Sequence, residues 1–487
     1  MSLRKALVMV VVLLALGAYV YFVEFAQEKE ETEKKKLFTF DTGTVTEIAL
    51  TYPDRVIHLK KDAAGKWQIT QPIAVEADET TVNNLLNAIA DAEIKRTLDE
   101  TPQDVSLYGL NAPVVKFQVT LTDGKTLPQI SLGKDTPVGF SVYAQRQGES
   151  KILLVPQSLR IGTQKEVKDL RDRTVIAFTD DEVKKIEVQG PDRDIVLSKA
   201  DAGWTLEKPL EAKADDTEVR TFLSSLRNMK AQDFIEQPTQ ALQEFGLAPP
   251  QLTVSLALGG DNAQKTVLIG GEKSDEEKSD NQGNKQRYVK RGEKDTLFVV
   301  GDWVLRDLSK TADDFRDKTV IRFAQDQAAK IAVKHRDGEE FTLTHGADKK
   351  WAIDKTQEGT LKEATLGQFV SDLHELRGFE IAADNPGDLS AYGLEDPVAT
   401  ITVYDDSGAK LAAVLLAQKA DGENQKPFAL AEGGKTVFAL RDYVFDRLNK
   451  KPADFWEKPG EKKDNAPTPP PTSEESSAEP GGAEEDE

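Results

Sequence analysis

Three tryptophans with nearly constant spacing are the first side chains to consider for chemistry. Trp67, Trp204 and Trp351 lie 137 and 147 residues apart. An indole ring offers a large amphipathic surface on which a ligand can stack. Each tryptophan stands at the same point of a strand-like segment, however. One buried core position in each of three repeats therefore explains them more simply than three ligand platforms do.

A second set of aromatic residues precedes a Gly-Leu pair that occurs three times. Its members are Tyr108, Phe245 and Tyr392. A ring in this position could stack on a sugar, but the phenylalanine shows that a hydroxyl is dispensable. Glycine just past a short helical turn takes the left-handed conformation, and the following leucine then packs back on the turn. The pattern therefore favours a contact at a helix end.

Two Arg-Asp pairs recur at the ends of the first two repeats. They are Arg171-Asp172 and Arg316-Asp317, and the third repeat has Trp456-Glu457 at this place. A salt bridge that fixes one repeat on the next explains why the last repeat lacks the pair. A catalytic acid would instead be expected in one copy only, beside unusual neighbours.

The remaining residue types give no reactive constellation. There is no cysteine, so thiolate catalysis, disulfides and cysteine-ligated metals are excluded. The four histidines fall at unrelated repeat positions, and no phosphate-binding loop or nucleophile elbow is present. They are His58, His335, His345 and His374. The sequence therefore predicts no catalytic, cofactor-binding or metal-ligating residue, no cofactor and no enzymatic activity.

Net charge and composition limit the partners. The chain of 487 residues has a net charge of −21, which argues against binding nucleic acid by phosphate neutralisation. Apolar residues make up 39%, enough for real cores, and the length suggests about three domains.

The N-terminus carries an uncharged, mostly apolar run over 6–23, preceded by Arg4 and Lys5. Its length of about 27 Å as a helix suits a bilayer core, and the flanking charges place the N-terminus in the cytoplasm. No clear cleavage site follows the run. An uncleaved transmembrane signal anchor is therefore favoured over a cleaved signal peptide or a buried helix.

The rest of the chain repeats one unit. The distance from the tryptophan to the motif glycine (Gly109, Gly246 or Gly393) is 42 residues in every copy. Each copy is predicted to open with a strand, over 40–48, 178–186 and 323–331. After the tryptophan strand comes a helix whose apolar residues recur at i, i+3, i+4 and i+7. These stripes are Val82-Leu85-Leu86-Ile89, Val219-Phe222-Leu223-Leu226 and Leu366-Phe369-Val370-Leu373.

The predicted fold class is α+β: three tandem repeats, each a mainly antiparallel β-sheet with a helix packed on one face, plus one N-terminal transmembrane helix. The polar insertion within 272–286 is predicted to be a mobile loop. The predicted segments are the cytoplasmic N-terminus (1–5), transmembrane signal anchor (6–23), charged stalk (24–36), repeat 1 (37–177), repeat 2 (178–322), repeat 3 (323–458) and a disordered acidic tail rich in Pro, Ser and Glu (459–487).

The anchor, the strand–Trp–helix unit, the aromatic-Gly-Leu-x-x-Pro motif, the strand-ending Gly133 and Gly270, and the terminal Arg-Asp together resemble the bacterial family called domain of unknown function 4340. The resemblance covers 38–458 in three copies, and copy three departs at Ala417 and Trp456. It implies a membrane-tethered protein encoded beside an ABC-type transporter of the gliding-motility-associated kind. The family has no assigned reaction, so it implies no site residues.

Three functions follow as hypotheses. The first is a membrane-anchored extracytoplasmic scaffold or accessory protein of an ABC-type envelope transport system, single-pass in the bacterial inner membrane with the bulk of the chain periplasmic. The second is a module that binds cell-wall glycan or peptide. The third is a hydrolase with a site between repeats, which would need two close carboxylates with shifted acidities.

Overall fold

The computed structural model describes residues 35–99, 102–236, 238, 241–260, 263–273, 285–292, 295–346, 350–421 and 424–457. These residues form two compact units. One consists of the described residues up to Val196 together with Arg220–Lys310. The other consists of Leu197–Val219 together with the described residues from Thr311. Residues 1–34 and 458–487, and residues 274–284 of the loop predicted within 272–286, lie outside the described residues.

Repeat 1 is a nine-stranded antiparallel sheet in the order β4-β3-β2-β1-β6-β7-β8-β9-β5. Its strands are β1 (Val45–Thr51), β2 (Val56–Lys61), β3 (Trp67–Gln71), β4 (Val75–Glu76), β5 (Arg96–Asp99), β6 (Val115–Leu121), β7 (Ile130–Asp135), β8 (Ser141–Arg146) and β9 (Ile152–Pro156). Its helices are α1 (Glu79–Ala90), α2 (Gln157–Thr163) and α3 (Val167–Leu170), with 3-10 turns at Thr42–Thr44 and Val105–Tyr108.

Repeat 2 has nine strands in the order β13-β12-β11-β10-β15-β16-β17-β18-β14, the order of repeat 1 shifted by nine. Its strands are β10 (Val183–Gly190), β11 (Arg193–Ala200), β12 (Gly203–Lys208), β13 (Ala212–Lys213), β14 (Asp233–Ile235), β15 (Leu252–Leu258), β16 (Gln264–Glu272), β17 (Gln286–Arg291) and β18 (Leu297–Gly301). Its helices are α4 (Asp216–Arg227), α5 (Trp303–Leu308) and α6 (Ala312–Phe315).

The main sheet of repeat 3 has eight strands in the order β22-β21-β20-β26-β27-β28-β29-β25. Two small sheets pair β19, which lies just before the predicted start of the repeat at 323, with β24, and β23 with β30. Its strands are β19 (Thr319–Arg322), β20 (Lys330–His335), β21 (Glu340–His345), β22 (Trp351–Ile353), β23 (Thr360–Leu361), β24 (Glu375–Arg377), β25 (Glu380–Asp384), β26 (Ala399–Tyr404), β27 (Lys410–Asp421), β28 (Asn424–Ala431), β29 (Thr436–Ala439) and β30 (Trp456–Glu457). Its helices are α7 (Glu363–His374) and α8 (Asp442–Leu448), with 3-10 turns at Gln325–Gln327, Ser390–Tyr392 and Pro452–Phe455.

The predicted helical stripes are the buried faces of α1, α4 and α7, and all twelve of their residues are at most 4% exposed. In repeat 1 the stripe joins one core with the inward residues of β1 and β6, such as Ile48 and Phe117. Helix α1 begins at Asp78, whose carboxylate accepts the Thr81 N–H at 2.7 Å. In repeat 3 Lys362 takes the capping position and makes no side-chain cap bond. The third copy thus keeps the core but loses a helix cap.

The predicted fold class requires correction. The structure is mostly antiparallel β-sheet, with 43% strand and 21% helix, and each repeat has more than one helix because the segment after its last long strand coils into short helical turns. The transmembrane helix is not part of this fold. In the part of the chain that the structure describes, no helix is long and apolar enough to cross a membrane. The predicted anchor over 6–23 lies outside that part.

The predicted opening strands also begin later than expected, at Val45, Val183 and Lys330. Local hydrogen bonds explain the delay. The Asp41 carboxylate accepts the Gly43 N–H at 2.9 Å, and the Glu182 carboxylate accepts the Thr179 N–H at 2.9 Å. Such side-chain bonds to the backbone favour turns over extended strand.

Candidate functional site

The three tryptophans do not form an open ligand platform. Trp67 is 2% exposed and Trp204 is 7% exposed, whereas Trp351 is half-buried against the His345 ring at 5.1 Å between ring centres. The backbone N–H of Trp67 donates to a carboxylate oxygen of Glu79 at 2.8 Å, and that of Trp204 donates to Asp216 at 2.9 Å. The interpretation as a core position is confirmed for the first two copies.

The aromatic-Gly-Leu motif ends a short turn in all three copies. Its glycines are left-handed, with φ of +72° at Gly109, +62° at Gly246 and +71° at Gly393. The preceding aromatic ring meets a second ring edge to face, which is a favoured geometry. These ring pairs, with the distances between ring centres, are Tyr108–Tyr143 at 5.0 Å, Phe245–Tyr288 at 4.9 Å and Tyr392–Phe428 at 5.2 Å. The predicted helix-end contact is confirmed, and the rings serve packing.

Gly133 and Gly270, which were predicted to end a strand, lie within β7 and β16 two residues before each strand ends, and the turn packs against them. A Cβ added at Gly133 would lie 2.2 Å from the Tyr108 carbonyl oxygen, and one at Gly270 would lie 2.5 Å from that of Phe245. Repeat 3 carries Ala417 here. Its Cβ would lie 3.6 Å from a Cβ built on Gly393, which is an ordinary van der Waals distance. The first two copies therefore leave no room for a side chain at this position, whereas the third accommodates the methyl group of Ala417.

In each repeat, the same backbone hydrogen bond joins the last residues of the repeat to the segment between the tryptophan strand and the helix. The residue before the helix donates its N–H to a carbonyl at the end of the same repeat. These bonds are Asp78 to Leu170 at 2.7 Å, Asp215 to Phe315 at 2.7 Å and Lys362 to Phe455 at 2.8 Å. The residue just before each of these donors forms a bridge or short strand pair with the residue just after the acceptor: Ala77 with Arg171, Ala214 with Arg316 and Leu361 with Trp456. The closure is thus built three times in the same register.

The predicted junction salt bridges exist, but their acidic partners differ from those expected. The Arg316 guanidinium donates two hydrogen bonds to the Asp384 carboxylate of repeat 3, at 2.6 and 2.7 Å. In the first junction Arg171 pairs with Glu236 of repeat 2 and lies 3.7 Å above the Phe234 ring. Both arginines are at most 9% exposed. Each therefore connects its own repeat to the one that follows.

A threonine completes each pair. The Thr296 hydroxyl donates to Glu236 at 3.0 Å, and the Thr436 hydroxyl donates to Asp384 at 3.1 Å. Trp456 stands at the same place in repeat 3, and its ring nitrogen is buried with no hydrogen-bond partner among the described residues. Sequence reasoning missed the acids and the threonines, although Glu236 and Asp384 both follow the helix of the next repeat. Their equivalence only becomes visible once β14 and β25 are aligned.

The aspartates next to the arginines accept hydrogen bonds from the backbone, and Asp317 also forms ion pairs with Lys213 at 2.7 Å and with Arg377 of repeat 3 at 3.8 Å. Asp172 accepts the Thr174 N–H at 2.9 Å, and Asp317 accepts the Thr319 N–H at 3.0 Å. Burial raises the pKa of Asp317, but hydrogen bonds from Lys213 and Thr319 outweigh it and leave the pKa below its usual value. In each Arg-Asp pair the arginine therefore forms an ion pair with the next repeat, and the aspartate accepts a backbone hydrogen bond two residues further along the chain.

The second junction should weaken in acid. The hydrogen bonds from Arg316 hold the pKa of Asp384 below its usual value of 3.8. When the folded-state pKa is depressed, the stabilisation is complete above the unfolded-state pKa, and it is lost as the pH falls from there through the folded-state pKa. The protection factors of amides in 316–319 and 380–384, which are corrected for the slower intrinsic exchange in acid, should therefore fall below about pH 4.

The matched variant is Asp384→Asn, which keeps the shape and removes the titrating group. We expect this substitution to lower the free energy of unfolding by about 1 kcal/mol at neutral pH, because Asp384 is 46% exposed and solvent weakens its ion pair with Arg316. Its exchange at the junction should no longer respond to the same pH step. An identical acid response in the variant and the wild type would contradict the assignment.

The first junction also borders a cleft of about 380 Å³ that includes Arg171, Arg291, Glu76, Asp172 and Glu236. A hydrolytic acid would need a raised pKa. Among the described residues, the carboxyl groups with a displaced pKa are all lowered, because hydrogen bonds to the charged form outweigh burial. They are Glu47, Asp62, Asp104, Glu182, Asp317, Asp337, Asp384, Asp388 and Asp405. Nor do the described residues bring three His, Asp or Glu side chains into a metal-binding group.

Comparison with known proteins gives one family. The model of the family described as "Domain of unknown function (DUF4340)" matches residues 67–240, 204–378 and 351–460. Each match begins at the tryptophan of one repeat, and the first two run into the next repeat, across the junction described above. No curated protein matches the chain. The description of the family names no reaction.

Proposed function

We propose that this chain, which belongs to the DUF4340 family, is a non-enzymatic scaffold or accessory protein of a bacterial envelope transport system of the ABC type. The three matches establish three tandem copies of one unit. The observation that supports a scaffold is the junction between consecutive repeats. At both junctions a buried arginine of one repeat forms an ion pair with a carboxylate of the next.

A structural role for the repeats agrees with the side chains that recur. The recurrent tryptophans, glycines and arginines serve core, turn and junction in the described residues. A third function considered above, hydrolysis between repeats, has no support there, because no pair of close carboxylates with a raised pKa is present. An enzymatic role is therefore not part of the proposal.

The place of action rests on sequence alone. The resemblance implies a position beside an ABC-type transporter, and the apolar run over 6–23 favours association with the inner membrane and a periplasmic body. Both belong to the proposal, and the run itself lies outside the described residues.

A site-specific crosslinking experiment tests the proposed partner. A photoreactive phenylalanine analogue would replace Phe140, which is 83% exposed and directly precedes β8, or Tyr443, which is 55% exposed. We expect adducts recovered from living cells and identified by mass spectrometry to contain subunits of an ABC-type transporter, because both side chains are exposed and therefore accessible to a partner.

The matched control places the analogue at Phe117, which is fully buried in the repeat 1 core. That position should give no intermolecular adduct. Adducts from the exposed positions that contain no transporter subunit, in cells that express the transporter, would refute the proposed partner. Adducts to cell-wall fragments would favour the glycan-binding alternative, for which a feature of repeat 2 speaks.

A further inference from the structure

Repeat 2 has a cleft between helix α4 and the start of helix α5. Its volume is about 630 Å³, and its lining includes Trp303, Arg220, Arg227, Asp180, Ser224 and Asn228. Trp303 is half-buried, and its pyrrole edge lies against Gly301, where an added Cβ would come within 2.6 Å of the ring. The ring is therefore held at the cleft wall by a position that tolerates no side chain.

The corresponding place is closed in repeat 1. Serine 158 stands where repeat 2 has Trp303, and helix α2 approaches helix α1 so closely that a Cβ on Gly162 would lie 2.6 Å from the Ala88 Cβ. Direct contact between the two helices leaves no room for a ligand there.

Repeat 3 closes the same place with a charged side chain. Tyr443 stands where repeat 2 has Trp303, and the Arg447 guanidinium lies 5.2 Å from the centre of its ring. The same guanidinium is 3.5 Å from the Asp372 carboxylate on the facing helix. Repeat 2 has Asp307 and Ser225 at these two positions, so it lacks the bridge. The open cleft is thus a departure of one copy from the shared plan.

The polar groups around Trp303 are both donors and acceptors. Arg227 forms an ion pair with Asp180 at the rim, and the Asn228 amide donates to the Ser224 hydroxyl at 3.2 Å. Arg220 is exposed, and no ion pair to it is formed by the described residues. An aromatic wall beside mixed donors and acceptors suits a molecule with an apolar face and many hydroxyls. The uncompensated arginine adds a preference for a carboxylate.

We propose that this cleft binds a glycan whose sugar ring stacks on Trp303 and whose carboxylate pairs with Arg220. The ion pair of Asp180 with Arg227 carries no net charge, so Arg220 leaves the cleft with a single positive charge, which matches one carboxylate better than a polyphosphate. A sugar with a single carboxylate meets both conditions. This inference does not depend on the proposed transporter partner.

Isothermal titration of the full chain tests the proposal with two probe disaccharides. One is N-acetylglucosaminyl-N-acetylmuramic acid, which has a carboxylate, and the other is the neutral N,N′-diacetylchitobiose. We expect the acidic probe to bind about tenfold more tightly, as one charge-assisted hydrogen bond allows. Arg220→Gln should remove that difference and leave the affinity for the neutral probe unchanged.

The tryptophan is tested in the same titration. Trp303→Ala should lower the affinity for both probes by about tenfold, the loss expected for one stacking contact. The double variant Ser225→Asp with Asp307→Arg should weaken both as well, since it builds the repeat 3 bridge into repeat 2, and it serves if Trp303→Ala does not fold. Tyr443→Ala, which changes the equivalent aromatic in the closed repeat 3, is the matched control and should bind like the wild type.

The outcomes separate cleanly. Loss of binding in both repeat 2 variants with normal binding in Tyr443→Ala supports the site. Wild-type affinity in the double variant, or no binding of either probe by the wild type at millimolar concentration, overturns it. Equal affinity of the wild type for the two probes overturns the role of Arg220.

Discussion

Replacing Trp67 by alanine is expected to lower the free energy of unfolding of repeat 1 by about 3–5 kcal/mol. The side chain is 2% exposed and belongs to the same core as Ile48, Leu59 and Leu85. Truncation would leave a cavity next to β2 and helix α1, and a close-packed interior relaxes into such a space only in part. Lys61 would also lose the ring that it covers at 5.2 Å.

The control for this prediction is Trp351→Ala in repeat 3. Trp351 is half-buried, and the counterpart of Glu79 is Glu363, which lies 3.4 Å from the Lys350 ammonium group. The lost burial is therefore smaller, and we expect a cost of about 2 kcal/mol or less. Hydrogen exchange by mass spectrometry would report each repeat separately, through peptides from helices α1 and α7. Equal losses at the two positions would mean that the exposure of the tryptophan does not set its contribution.

The periodic features of the chain could be predicted because they are local. The Trp-to-Gly interval of 42 residues sets the phase of the repeats, and the stripes of α1, α4 and α7 are each contained in eight residues. One buried helical face needs only its own sequence to be visible.

The edge strand next to β9, and its counterpart in each of the other repeats, could not be predicted in this way. Strand β5 comes directly after helix α1 but pairs with β9, more than fifty residues later, and it has no apolar alternation of its own. Such a strand depends on a partner that is distant in the chain, and strand preference is governed by that context. The junction acids escaped for the same reason, because Glu236 and Asp384 acquire their roles only when an arginine from the preceding repeat arrives.

The open cleft of repeat 2 illustrates a different limit. Trp303 was visible in the sequence, yet nothing local distinguished it from a core tryptophan. Its position became informative only through Asp307 and Ser225, which replace the Arg447 and Asp372 of repeat 3. In a repeated scaffold, a difference between copies carries more functional information than the shared positions, which mostly reflect packing.

The packing of the turn against Gly133 predicts the second large effect, and here one repeat serves as a natural control for the other two. Gly133→Ala is expected to cost about 3 kcal/mol, at the upper end of usual overpacking penalties. The new Cβ would lie 2.2 Å from the Tyr108 carbonyl oxygen, so backbone would have to move rather than a flexible side chain. Movement there would separate the Tyr108 and Tyr143 rings and loosen the turn that ends at Gly109.

The reverse change in repeat 3, Ala417→Gly, should cost about 1–2 kcal/mol, because it removes one fully buried methyl group and adds the conformational entropy of glycine to the unfolded chain. Hydrogen exchange of 105–110 and 130–135 in Gly133→Ala, against 389–394 and 414–418 in Ala417→Gly, gives the comparison within one chain. Protection of 105–110 that survives in Gly133→Ala would show that the space around Gly133 can widen without loss. The steric reason for glycine at this position would then fail, although the repeat pattern itself would stand.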